Sequence, residues 1–358
     1  MAPPVDESLA IYDVPRAIVD PLLRSLRMFN TAADAVFYDV GALYRQFFAH
    51  GIAINTDIAA GRSPRRGNLA AFHAMAEHVV DLDALTDPEG VILVIDGQRA
   101  PFIARYPDFE EFVANGLEFT GTSEDDTMPP APVKAVSVTG VGSSALGSAA
   151  FAWNISQALG EPVAAIVPGY GLADIVPQAL SGFFGYGFAD YVRQLYDEAL
   201  ARFNPEMARI GRRLSRSITG EAAILAEAGP TYRRGSPESD ILHAILQRAP
   251  QISRLYGHSK GSLCIGNAIL SLPNDRVRQL EITTFSAVIK EEGPAGFEQI
   301  LGSIDALGQL NSWGNWPERW IEAWHSTNTM LPLTVPVARL ANERLISAVR
   351  PQSALPAH

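Results

Sequence analysis

A chain of 358 residues, 47% hydrophobic and 19% charged, can bury a large core and reads as globular, either as one big domain or as a core with an appended module. Its formal net charge of −11 speaks against nucleic acid or anionic lipid as a partner, since both would be repelled. No run of 18 apolar residues occurs, so no transmembrane segment is expected, and a single cysteine, Cys264, excludes an intrachain disulfide.

Met1 to Asp13 holds Pro3, Pro4, Asp6 and Glu7 where a signal peptide needs a basic start and an apolar run, so a cytoplasmic location is expected. From about Leu9 to Leu82, apolar residues at three- and four-residue spacings (Leu22, Leu26, Leu43, Phe47) predict helices. Residues 1–85 thus read as a helical N-terminal extension: a cap, an arm for homo-oligomerisation, or a docking surface for an apolar phase. No side chain there suggests chemistry. His50, His73 and His78 lack carboxylate or cysteine neighbours at ligand spacing and read as surface or packing residues.

The period then changes. Val91 to Ile95 is a continuous apolar run, Asp96-Gly97 signals a tight turn, and Pro101 to Tyr106 is a second extended segment, which together predict a hairpin. After an acidic loop, Val133 to Val138 predicts a strand, Gly140-Val141-Gly142-Ser143-Ser144 a loop, the Ala-rich stretch to about Leu159 a helix, and Pro162 to Val167 another strand. Alternating strand and helix argues an α/β fold with a mostly parallel sheet flanked by helices over residues 86–358.

A helical, lid-like insertion is expected at about 172–235. Its first part, with Phe183, Phe184 and Tyr186 among three glycines, suits either a mobile flap over an apolar site or a tight helix-helix corner. Glu198 to Ser217 reads as an amphipathic helix with a solvated arginine face, and His243 sits on a helix opened by the capping-type Ser236-Pro237-Glu238-Ser239.

Gly257-His258-Ser259-Lys260-Gly261 stands between an apolar run, Ile252 to Tyr256, and a helix-like run, Ser262 to Leu270. This is the G-x-S-x-G pattern in the strand-turn-helix context of a nucleophile elbow, where a Cβ at either glycine would collide and the serine is held strained with its hydroxyl exposed. Strands are predicted from Arg278 to Ser286 and from Phe297 to Ile304, and Asp305 follows directly. His325 comes twenty residues later, between Trp320, Trp324 and Ser326. The order Ser259, Asp305, His325 matches a serine nucleophile, an orienting acid and a base able to take and return a proton. Asp275, in a turn before a strand at the opposite edge of the sheet, is the rival acid, and His258 is expected to pack. Backbone amides of Lys260 and of Val141 or Gly142 are the candidates for an oxyanion hole. The cationic side chain of Lys260 beside the nucleophile must reach solvent or find a carboxylate.

These residues resemble the α/β-hydrolases of the lipase and esterase type, over roughly Val91 to Pro332. Glu281 to Ser286, with the later Asp305 and His325, is similar to the class 3 lipases, in which a strand ending Thr-Phe-Gly precedes the acid. Lys260 stands where an apolar residue or Gln is common, Ser286 where Gly is usual, and residues 1–82 have no counterpart. The resemblance implies an α/β-hydrolase fold and a cofactor-independent serine hydrolase that cleaves carboxylic esters through an acyl-enzyme. Its substrate would be a small-molecule or lipid-like ester, with Phe183, Phe184, Tyr186, Trp313 and Trp316 as an apolar lining. Two other readings stand beside it. Gly140-Val141-Gly142-Ser143-Ser144-Ala145 fits the G-x-G-x-x-A loop of a dinucleotide-binding oxidoreductase, although the next strand ends in Val167-Pro168-Gly169 with no acid for the ribose. A non-catalytic, hydrolase-like binding protein would carry the same motifs. No metal is expected, because no His, Cys or Asp set has ligand spacing.

Overall fold

Short apolar runs set between turn residues build the centre of the molecule. The computed structural model describes residues 31–80, 90–100, 102–121, 128–140, 143–168, 237–270, 272–289, 293–312 and 314–349. The strands are β1 (Ile92–Ile95), β2 (Ile103–Tyr106), β3 (Glu118–Phe119), β4 (Ala131–Pro132), β5 (Ala135–Val138), β6 (Val163–Ile166), β7 (Arg254–His258), β8 (Glu281–Phe285), β9 (Gly296–Gly302) and β10 (Arg319–Ile321). Eight of them form one sheet in the order β2-β1-β6-β5-β7-β8-β9-β10, while β3 and β4 pair separately. β1 is antiparallel to both β2 and β6, and every other neighbouring pair in the large sheet is parallel.

Residues 31–37 are helical, and the longer helices after them are α1 (Val40–Ala59), α2 (Arg66–Met75), α3 (Ala145–Leu159), α4 (Pro237–Arg248), α5 (Lys260–Ile269), α6 (Ala306–Asn311) and α7 (Val337–Val349), with shorter helical turns at Ala76–Val80, Phe109–Glu111, Phe112–Gly116 and Asn274–Val277. β1, β5 and β6 are buried at all four positions, as strands covered on both faces must be. Alternate residues of β1 go to opposite layers. Leu93 and Ile95 join a cluster with Phe151 and Trp153 of α3 and Leu340 of α7. Ile92 and Val94 join one with Leu242 and Ile245 of α4 and Ile265 of α5. The result is a three-layer α/β molecule.

α3 shows how local sequence sets an element. Ser144 caps its start by accepting from the Leu146 and Gly147 amides, and Gly160 closes it in the left-handed region at φ +67°. Ala145 through Ser156 are all buried, so the helix lies in the interior.

Several sequence expectations are adjusted. The strand expected over Val133 to Val138 is two residues shorter: the chain pairs with β3 as β4 just before this stretch, then enters the large sheet only at Ala135. β10 is a strand that no apolar run announces. Its three residues join the sheet edge in parallel register with Ile300, Leu301 and Gly302. Residues 31–80 are helical as expected, but Tyr38, Leu43 and Met75 belong to the same core as the sheet. Residues 172–235, with Phe183, Phe184, Tyr186 and the arginine-rich stretch, lie outside the described residues, as do 1–30. Among the described residues no helix is long and apolar enough to cross a membrane.

Candidate functional site

The strand order reverses between β5 and β7. β5 connects onward to β6 on one side, and the chain then returns to place β7 on the other side of β5. Open α/β sheets bind ligands at such a switch point, beyond the carboxyl ends of the strands. Gly140 follows β5 there and Ser259 follows β7. The two backbones are close: a Cβ on Gly140 would lie 3.3 Å from Ser259 Cβ and 3.6 Å from its Oγ.

Ser259 sits at φ 54°, ψ −127°, a conformation L-residues rarely hold. Packing around the turn keeps it there. A Cβ on Gly257 would come within 2.7 Å of Ser262 Cα, and one on Gly261 would overlap the Val138 carbonyl oxygen. The Ser259 amide donates to the Phe285 carbonyl at 2.9 Å, which ties the turn to β8.

Three side chains meet at this turn. His325 Nε2 is 2.9 Å from Ser259 Oγ, and its Nδ1 is 2.8 and 3.1 Å from the two oxygens of Asp305. A carboxylate accepts, so Nδ1 carries the hydrogen and Nε2 offers its lone pair to the serine hydroxyl. Asp305 also caps α6, taking the Gly308 amide on Oδ1 at 2.6 Å. Burial pushes its carboxyl upward, but the His325 ring and the Gly308 amide outweigh that and hold it below the ordinary carboxylate range. Asp275, the rival acid, is exposed and pairs with Arg278 at 2.6 Å in its own turn.

The other expected site residues divide. Lys260 Nζ finds a carboxylate: it lies 2.6 Å from Glu238 Oε1 of α4, both side chains buried, with Cys264 Sγ 3.8 Å from the same oxygen. Its backbone amide opens α5 and so belongs to the first turn, whose N–H groups have no partner within the helix. Val141, Gly142 and Trp313 fall outside the described residues. Trp316 is exposed and packs edge-on with Trp320. Ser286, where glycine is usual in the resembling lipases, adopts φ +58°, the region that favours glycine. His243 holds the Ala268 carbonyl at 2.7 Å, and His50 pairs with Asn68.

Sequence reading missed the part played by the N-terminal segment. Asp34 and Tyr38 are buried against the glycine loop. Asp34 Oδ2 accepts the Ser144 amide at 2.7 Å, while Tyr38 Oη takes the Gly140 amide at 2.8 Å and the Ser143 hydroxyl at 3.0 Å. Phe37 stands edge-on to His325, with ring centroids 6.0 Å apart. A helical segment more than a hundred residues from its partners gives no local sign of such contacts.

Among the described residues, no three His, Cys, Asp or Glu side chains are grouped as a metal ion would need. At the start of α3 the Ser144 amide is taken by the Asp34 carboxyl, and the Leu146 and Gly147 amides by the Ser144 hydroxyl. No protein-family model, curated protein or solved structure matches this chain.

Proposed function

We propose that the protein is a serine hydrolase of α/β-hydrolase type that cleaves carboxylic esters through an acyl-enzyme. One observation carries this reading: the continuous hydrogen-bonded line from Asp305 through His325 to Ser259, ending on a serine held at positive φ. A buried structural histidine needs partners, but it does not need one of them to be a strained serine at a topological switch point.

In this mechanism Ser259 Oγ attacks the acyl carbon as His325 Nε2 takes its proton, and the carbonyl electron pair moves onto oxygen. Asp305 stabilises the imidazolium that results. The oxyanion is met by backbone amides, that of Lys260 and one from Val141 or Gly142. Collapse expels the alcohol, which leaves with the proton from Nε2. Water then attacks the acyl-enzyme by the same steps in reverse, releasing the acid and restoring Ser259.

A fluorophosphonate probe and a short-chain p-nitrophenyl ester test the reading. Wild type should be labelled at Ser259 and turn the ester over. Ser259→Ala should abolish labelling and lower kcat by about 10⁴-fold or more, and Asp305→Asn should lower it by about 10⁴-fold. Labelling that survives Ser259→Ala removes the serine from the mechanism. Full turnover by Asp305→Asn removes the acid.

The dinucleotide reading is weakened by the buried Asp34 carboxyl at the start of α3, where a phosphate group would have to sit. Tight binding of a nicotinamide dinucleotide without ester turnover would restore it.

A further inference from the structure

The phenol of Tyr38 lies at a crossing of three chain segments, and the chemistry of its partners sets the direction of its hydrogen bonds. His258 Nε2 is 2.9 Å from the His325 carbonyl oxygen, and a carbonyl can only accept, so Nε2 carries the hydrogen. Burial, with the neighbouring His325 adding to it, pushes the His258 ring down to about 3, so it is neutral and its Nδ1 is an acceptor. The Tyr38 hydroxyl, 3.0 Å away, therefore donates to Nδ1. Its oxygen then receives the Gly140 amide at 2.8 Å and the Ser143 hydroxyl at 3.0 Å. Every polar atom in the set is paired.

The ring is held as firmly as the hydroxyl. It meets Phe151 and His258 edge-on, with centroids 6.0 and 5.3 Å away. The neighbouring main chain grips the loop that follows His325: Ser326 Oγ donates to the Val36 carbonyl at 2.6 Å, Thr327 N to Phe37 at 2.8 Å and Asn328 Nδ2 to Ala35 at 2.7 Å. One short stretch thus holds both walls of the turn that carries Ser259.

We infer that Tyr38 is a positioning residue for the proposed triad, its hydroxyl fixing Gly140 beside Ser259 and, through His258, the main chain of His325. Tyr38 touches no reacting atom in this scheme. It acts on the distance and angle at which Ser259, its base and the glycine loop face one another, and misplacement there is felt in turnover more than in substrate affinity.

The inference rests on the hydrolase reading, and the experiment separates the two. Full-length wild type, Tyr38→Phe and Ser143→Ala are assayed with a short-chain p-nitrophenyl ester and a fluorophosphonate, and their imidazole nitrogens are followed by ¹⁵N NMR. Tyr38→Phe keeps the ring and removes only the hydroxyl. It should lower kcat and the labelling rate together by about 10- to 100-fold with KM within about twofold, while still melting in one transition above the assay temperature. Ser143→Ala, which removes one of the two bonds the phenol accepts, should lose about 2- to 10-fold in kcat. Wild-type His258 should stay in the Nε2–H tautomer without titrating between about pH 5 and pH 8, and Tyr38→Phe should move its Nδ1 resonance.

An unchanged kcat in folded Tyr38→Phe overturns the inference, as does a loss confined to KM or a wild-type His258 that titrates or carries its hydrogen on Nδ1. If Tyr38→Phe does not fold, Ser143→Ala decides the kinetics, and wild-type kcat in that variant overturns the inference. A wild type with the expected His258 tautomer but no labelling and no turnover sinks the hydrolase reading itself, and with it any catalytic meaning for Tyr38.

Discussion

Asp34 is a carboxyl group placed where charge is costly. Burial pushes it from 3.8 up to about 7, against the pull of the Ser144 hydroxyl and the Ser144 and Gly147 amides. In the folded chain it keeps its proton where the unfolded chain has lost it. Its contribution to stability is therefore complete below about pH 4 and is lost as pH rises through about 7. His258 has the opposite sign. Its folded ring is neutral where the unfolded ring is charged, so its contribution is present above about 6.5 and is lost as pH falls toward about 3. Each shift corresponds to something on the order of 4 kcal/mol, so between about pH 4 and pH 6.5 the two largely cancel. Asp34→Asn, a neutral stand-in for the protonated acid, leaves His258 unopposed. Urea denaturation of that variant should show stability rising across this window more steeply than in wild type. A slope equal to or below that of wild type would contradict the assignment.

At the scale of elements, α5 is fixed to α4 by the buried pair of Lys260 and Glu238. Taking away one charge of such a pair leaves the other buried without a counterion. Lys260→Met should destabilise the protein by about 3–5 kcal/mol, and adding Glu238→Leu should recover most of that loss. Urea midpoints of the single and double variants decide it, and equal midpoints would count against the pair. What could be read from sequence at this scale follows from the range of the forces involved. β7, the turn at Ser259 and α5 were legible because two glycines, a serine and an apolar run lie within a few neighbouring positions, and the Asp305 cap follows its strand directly. The partner of Lys260 lies 22 residues upstream, too far for the local sequence to say which carboxylate it meets. β10 was invisible because three residues, Arg319-Trp320-Ile321, cannot show a period. Only the edge of β9 makes them a strand.

For the molecule as a whole, the N-terminal helices share the core of the sheet. Tyr38, Leu43 and Met75 are each 2% exposed or less in the cluster that contains Phe151 and Leu340. Burial of three such side chains contributes about 5–9 kcal/mol, the size of a typical domain's entire stability. A chain lacking residues 1–80 should therefore fail to fold, with collapsed near-UV circular dichroism and aggregation on expression. A soluble, cooperatively melting truncation would refute this. The three-layer arrangement was legible from the alternation of strands and helices, but the joining of the N-terminal region to it was not, since an amphipathic pattern does not say which surface it will cover. Among the described residues the outermost strands of the large sheet are β2, with four residues, and β10, with three, so each margin offers only a few positions for pairing. Margins that short give an incoming strand little to pair with, and the sheet is poorly suited to templating its own extension into aggregates.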